Sequence, residues 1–166
     1  MHVSKFEVAM AKILVDKFVD KVWKGHAISQ NDLKKIVSEC LRCAGITANQ
    51  VFVNVSFVND DAMIEYNKKF HGKDGTTNVL SFENKDKFIG GNLYLGEIVL
   101  CHNKIVEEAM QFNKSFKERL WHLFVHGVLH TLGYDHIKDD ERAKMEALEA
   151  EILSKFGIVN IYETIC

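Results

Sequence analysis

His126, His130 and His136 lie in the stretch His-Gly-Val-Leu-His-Thr-Leu-Gly-Tyr-Asp-His, with the spacing His-x3-His-x2-Gly-x2-His. The first two are four residues apart, so on a helix they share a face. Gly133 follows His130 by three residues and tolerates the left-handed backbone that ends a helix and turns the chain back. His136 then reaches the other two from a loop. Three neutral imidazoles around one divalent ion leave a fourth position open to water, which is a catalytic rather than a structural arrangement.

The same spacing marks the metzincin zinc peptidases, whose motif places a glutamate general base directly after the first histidine. That position here is Gly127. The ligand pattern is present and the peptidase base is not. His122 lies one helical turn before His126 and is expected to pack or hydrogen-bond, since three ligands suffice. Asp135 is the nearest carboxylate, expected to steady the turn or a ligand imidazole, with a base role as the alternative. Glu97 faces either solvent or the site. His2, His26 and His102 have no partner spacing and are expected at the surface.

The elements that must position these groups fit one domain spanning residues 1–166. The chain is 47% apolar with net charge −2. That balance argues against indiscriminate nucleic-acid binding, so any such contact must use a local patch. No apolar run approaches the roughly 20 residues of a membrane helix, and the N-terminus lacks a signal peptide pattern. A cytoplasmic setting without membrane contact is expected. Cys40 and Cys43 form a lone C-x2-C without the second pair of a zinc ribbon, so idle thiols are expected.

Along the chain, Ala11, Leu14, Val15, Phe18 and Val22 match a helical stripe, although residues 5–14 also suit an opening strand. Residues 31–43 read as a helix, with Asn31 as a plausible cap. Residues 51–58 alternate as a strand. Asn59-Asp60-Asp61 opens a helix reaching about Phe70. Strands are expected at 79–83 and 93–101, with a turn at Gly90-Gly91. Helices are expected at 102–113 and 116–132, and a last one starts at Asp139 or Asp140 with Met145, Leu148, Ile152 and Phe156 buried. The fold class is therefore α+β: a small mixed sheet of three to four strands, about five flanking helices, and the metal site on a helix-turn.

The histidine segment continues into Asp139-Asp140-Glu141, and a second segment reads Gly72-Lys-Asp-Gly-Thr-Thr-Asn-Val-Leu-Ser-Phe82. Together with the weaker Gly96-Glu-Ile-Val99, these resemble the YbeY family of zinc-dependent endoribonucleases in ribosomal RNA maturation. The resemblance runs from about residue 31 to 157. It implies a small α/β sheet with the metal helix alongside, and it favours the strand for the N-terminal segment. It also implies a single-strand-specific endoribonuclease with one zinc ion, acting in 16S rRNA 3′-end maturation and ribosome quality control. The implied partners are ribosomal RNA and a small-subunit ribosomal protein.

Where the family typically has an arginine, this chain has His71, which can relay a proton but lacks the guanidinium fork suited to phosphate. His71 and Asp135 are the candidate catalytic side chains beside a metal-bound water. Lys73, Asn78 and Ser81 are candidate substrate contacts, and Lys68, Lys69, Lys73, Lys85 and Lys87 form either a solvated face or a phosphate-contacting rim. Two other functions compete: a metzincin-like zinc peptidase, and a non-catalytic ribosome assembly factor stabilised by zinc.

Overall fold

The structure is a computed structural model that describes residues 11–162. Five strands form one mixed sheet: β1 (Lys12–Val19), β2 (Gln50–Val58), β3 (Val79–Glu83), β4 (Phe88–Ile89) and β5 (Asn92–Cys101). Its main path is β1-β2-β5-β3, and the two-residue β4 pairs with the start of β5. β1, β2 and β5 run parallel, while β3 is antiparallel to β5 and lies at the edge. The helices are α1 (Gln30–Ala44), α2 (Asp60–His71), α3 (His102–Gln111), α4 (Phe116–Thr131) and α5 (Asp139–Ser154). The mixed sheet and five helices agree with the α+β expectation, with β4 and a 3-10 turn at Lys21–Trp23 as additions.

The helical stripe expected around Leu14 and Phe18 does not form. Residues 12–19 pair in register with residues 50–57 as a strand. Ile13 and Val15 join the core at a period of two, while Phe18 is 58% exposed. A parallel partner satisfies every other backbone group of β1, and this outweighs a stripe that a helix fits equally well. Residues 5–10 of the alternative strand lie outside the described residues. At α1 the cap is Ser29 rather than Asn31; its hydroxyl accepts from the Asp32 amide.

The two sheet faces are unequal. Val51, Val53, Val55 and Phe57 of β2, with Ile98 and Leu100 of β5, face a large core shared with α1, α4 and α5. Val58, Leu80, Val99 and Cys101 face a smaller cluster under α2. α4 is buried on most sides, as its run Leu120, Trp121, Leu123, Phe124, Val125, Val128 and Leu129 dictates. Its start is fixed by a capping box in which Ser115 and Glu118 each accept the other's backbone N–H.

Gly96 lets β3 approach β5 beside the site. Its φ is +122°, and a Cβ there would sit 1.9 Å from the Phe82 carbonyl oxygen. Only glycine meets both demands. The register of β2 against β5 shifts at the same level.

Candidate metal centre

His126 and His130 project from the last two turns of α4, and His136 from the loop beyond it. Gly133 makes that loop possible. With φ at +101°, it ends α4 in a paired closure: the Gly133 amide donates to the His130 carbonyl and the Tyr134 amide to the Leu129 carbonyl, each at 3.0 Å. This is the Schellman arrangement, which requires a left-handed residue at that position. The returning chain brings the His136 ring to 5.3 Å from His126 and 5.0 Å from His130, centroid to centroid. One nitrogen of each ring lies within 4.8 Å of the others.

The donor set fits a divalent ion. Nε2 of His126 and Nε2 of His130 are 3.0 Å apart, close to the roughly 3.3 Å separating two nitrogens at zinc-bond length on a tetrahedron. Burial lowers the pKa of His130, and the neighbouring His126 and His136 lower it further. The neutral, ligating form is therefore favoured.

Glu149 stands behind His126, and sequence reasoning missed it. It is 1% exposed. Its Oε1 meets Nδ1 of His126 at 2.5 Å, and its Oε2 meets Nε2 of His122 at 3.0 Å. The Tyr162 hydroxyl also donates to Oε2. Burial raises the carboxyl pKa, but the hydrogen bonds from His122 and His126 outweigh it and hold the group below the usual carboxylate range. A carboxylate on Nδ1 fixes the tautomer that leaves Nε2 free as a ligand. The signal was available: Glu149 lies between Met145 and Ile152 on the buried stripe of α5, where a carboxylate needs a partner.

His122 is buried in this network, as its spacing suggested. A cleft of about 300 Å³ opens beside it, lined by Asn78, His126, His136, Glu149, Arg119 and Arg142 among others. The two arginines were also missed. Arg119 continues the face of His122, His126 and His130 at helical spacing, and that face was the available clue. It is held by Glu108 at 2.7 Å. Nε of Arg142 lies 3.4 Å from the His136 carbonyl oxygen.

Other expected residues are distributed unevenly. Asn78 lines the cleft, its amide donating to Glu108 at 3.0 and 3.1 Å. Ser81 shares the face of β3 with Val79, which packs toward α4. Lys73 is exposed in the loop after α2. His71 does not line the cleft; its ring lies 5.9 Å from Phe82, on the α2 side of the sheet. Asp135 accepts its neighbour His136's amide at 2.7 Å, which steadies the turn. Glu97 faces away from the metal helix and accepts from Tyr66 and Ser56. Lys87 pairs with Glu83 at 2.5 Å near Gly133, whereas Lys68, Lys69 and Lys85 are exposed.

His26 is exposed, whereas His102 is partly covered and packs on the edge of Trp23; His2 lies outside the described residues. Cys40 is buried, its thiol pKa raised chiefly by that burial. Among the described residues only the histidine trio groups as metal donors, and no helix is long and apolar enough to cross a membrane.

Gly127 is buried against the sheet. A Cβ there would lie 3.0 Å from Cγ2 of Ile98 and 3.6 Å from Cγ2 of Val79. A side chain at this position would point at the sheet and press on Ile98, so the peptidase base is missing and its position is tightly packed.

Known proteins align with this architecture. The family described as "Endoribonuclease YbeY" matches residues 18–157. A protein of that name from Francisella philomiragia is 38% identical over 144 residues, which are 82% of this chain and 89% of that one. Another from Thermodesulfovibrio yellowstonii is 44% identical over 105 residues, 63% of this chain and 66% of that one. A solution structure from Thermotoga maritima shares the fold, with a TM-score of 0.57 and 23% identity, covering 90% of this chain and 96% of that one. The match spans both the sheet and the histidine turn, and the chain belongs to the YbeY endoribonuclease family.

Proposed function

We propose that this chain is a zinc-dependent, single-strand-specific endoribonuclease that acts in the cytoplasm on the 3′ end of 16S rRNA and in ribosome quality control, alongside a small-subunit ribosomal protein. The convergence of three imidazole nitrogens, one of them backed by buried Glu149, carries the reading.

When bound, zinc supplies an acidified water and a charge that polarises a phosphoryl oxygen. His126, His130 and His136 hold it. Glu149 keeps His126 in the ligating tautomer. Arg119, Arg142 and Asn78 line the same cleft and orient the phosphodiester, and Lys73 and Ser81, outside that lining, would extend the contact along the loop and edge strand. The Asp135 side chain is occupied with the turn, so proton transfer falls to the water itself or to a group on the RNA. Buried Gly127 argues against the peptidase alternative.

The test is cleavage of single-stranded RNA by the purified protein with zinc, after chelation, and as His130→Ala. Cleavage should appear in the first sample alone; equal cleavage in all three would end the claim. For the rRNA role, cells lacking the protein should accumulate 3′-extended small-subunit RNA. Wild type should correct the defect and His130→Ala should not.

A further inference from the structure

A second cavity of about 240 Å³ adjoins the metal cleft and shares Arg119, His122 and Tyr162 with it. Phe112, Lys114, Glu118 and Ile161 complete its wall. Phe112 is 37% exposed and Tyr162 48%, so two aromatic side chains border open space directly beside the site. The Arg119 guanidinium lies 5.0 Å from the Phe112 ring centroid and is pinned by two bonds to Glu108, at 2.7 and 3.0 Å. A planar group held this firmly is preorganised for stacking. Among the described residues, His122's hydrogen bonds run through Nε2. In the tautomer that carries its proton on Nε2, toward the Glu149 carboxylate, Nδ1 is an acceptor.

We propose that this cavity is a nucleobase subsite, taking one unstacked base of the single-stranded RNA next to the scissile phosphate. The inference rests on the endoribonuclease reading and deepens it. Aromatic and guanidinium planes bind bases through their π-faces. His122 and Glu118 line the cavity and supply acceptors for the donor edge of the base. Continuity with the cleft puts that nucleotide within one or two phosphates of the metal, and a duplex, whose bases are paired and stacked, cannot fill the pocket.

Two measurements test this. In the first, an abasic residue is moved through a cleavable oligoribonucleotide. One position beside the cut should lower kcat/KM about tenfold, the scale of a single base–aromatic stack. The penalty should vanish in Phe112→Ala and persist in Phe112→Tyr. In the second, 2-aminopurine is moved through the same sequence, and its fluorescence within the first turnover should be quenched at that one position. Efficient cleavage with equal tolerance at every position, and no quenching, overturns the subsite and leaves the nuclease reading intact. Quenching at one position, removed by Phe112→Ala but without cleavage in zinc, keeps the subsite and ends the nuclease reading. Neither quenching nor cleavage overturns both.

Discussion

His126 and His136 aim at one point yet are held in opposite ways. His126 sits on a buried helix, about a quarter exposed, with a buried carboxylate on its second nitrogen. His136 sits on a loop, about half exposed; its backbone is bonded by Asp135 and Arg142, and its ring nitrogen Nδ1 is only within 3.9 Å of the Asp135 carboxylate. The helix half fixes its donor before any ion arrives. The loop half places its donor on the more exposed flank. Such a division keeps a ligand geometry rigid on one flank and permits entry on the other.

Breaking the helix half should have the largest effect. His126→Ala should weaken zinc binding by more than about 100-fold, since loss of a supporting partner alone typically costs 10–100-fold; competition against a chromophoric chelator measures it. Glu149→Gln should fall within that 10–100-fold range, whereas Asp135→Asn, its counterpart on the loop, should stay within about threefold. Similar losses for these two would erase the contrast.

Gly133→Ala should lower stability by about 1–2 kcal/mol through the left-handed backbone, read from denaturant midpoints. The helix pair should persist, so residual weak metal binding is expected.

The smallest effect concerns pH in the metal-free protein. The folded pKa of His130 is depressed, so the unfolded chain binds more protons below about 6.5. The pKa of Glu149 is depressed too, and its contribution is lost as pH falls through that lowered value. Both signs agree: thermal midpoints should drop on acidification, and the Glu149→Gln variant should lose the portion below the ordinary carboxylate range.

The same two halves differed in how far the sequence revealed them. The histidine spacing and Gly133 announced the ligand turn because metal geometry and left-handed backbone each demand particular residues at fixed offsets. β2, β3 and β5 were legible from their alternation and turns. β1 was ambiguous because its apolar residues satisfy two periods, and only pairing with β2 decides between them. His71 looked close to the chemistry because it stands where the resembled family typically has an arginine, yet α2 carries it to the other sheet face. Glu149 and Arg119 were hidden for the opposite reason. Glu149 lies 23 positions from His126, and packing of α5 on α4 brings the two together; Arg119 lies on α4 itself, and only Glu108 of α3 shows how its side chain is held toward the cleft.

Anomalous diffraction from crystals grown with zinc tests the central claim most directly. It should show one ion bonded to Nε2 of both His126 and His130 and to a ring nitrogen of His136, at about 2.0–2.1 Å, with Glu149 on Nδ1 of His126 and solvent in the fourth position. Three rings turned apart, with the ion elsewhere or absent, would contradict it.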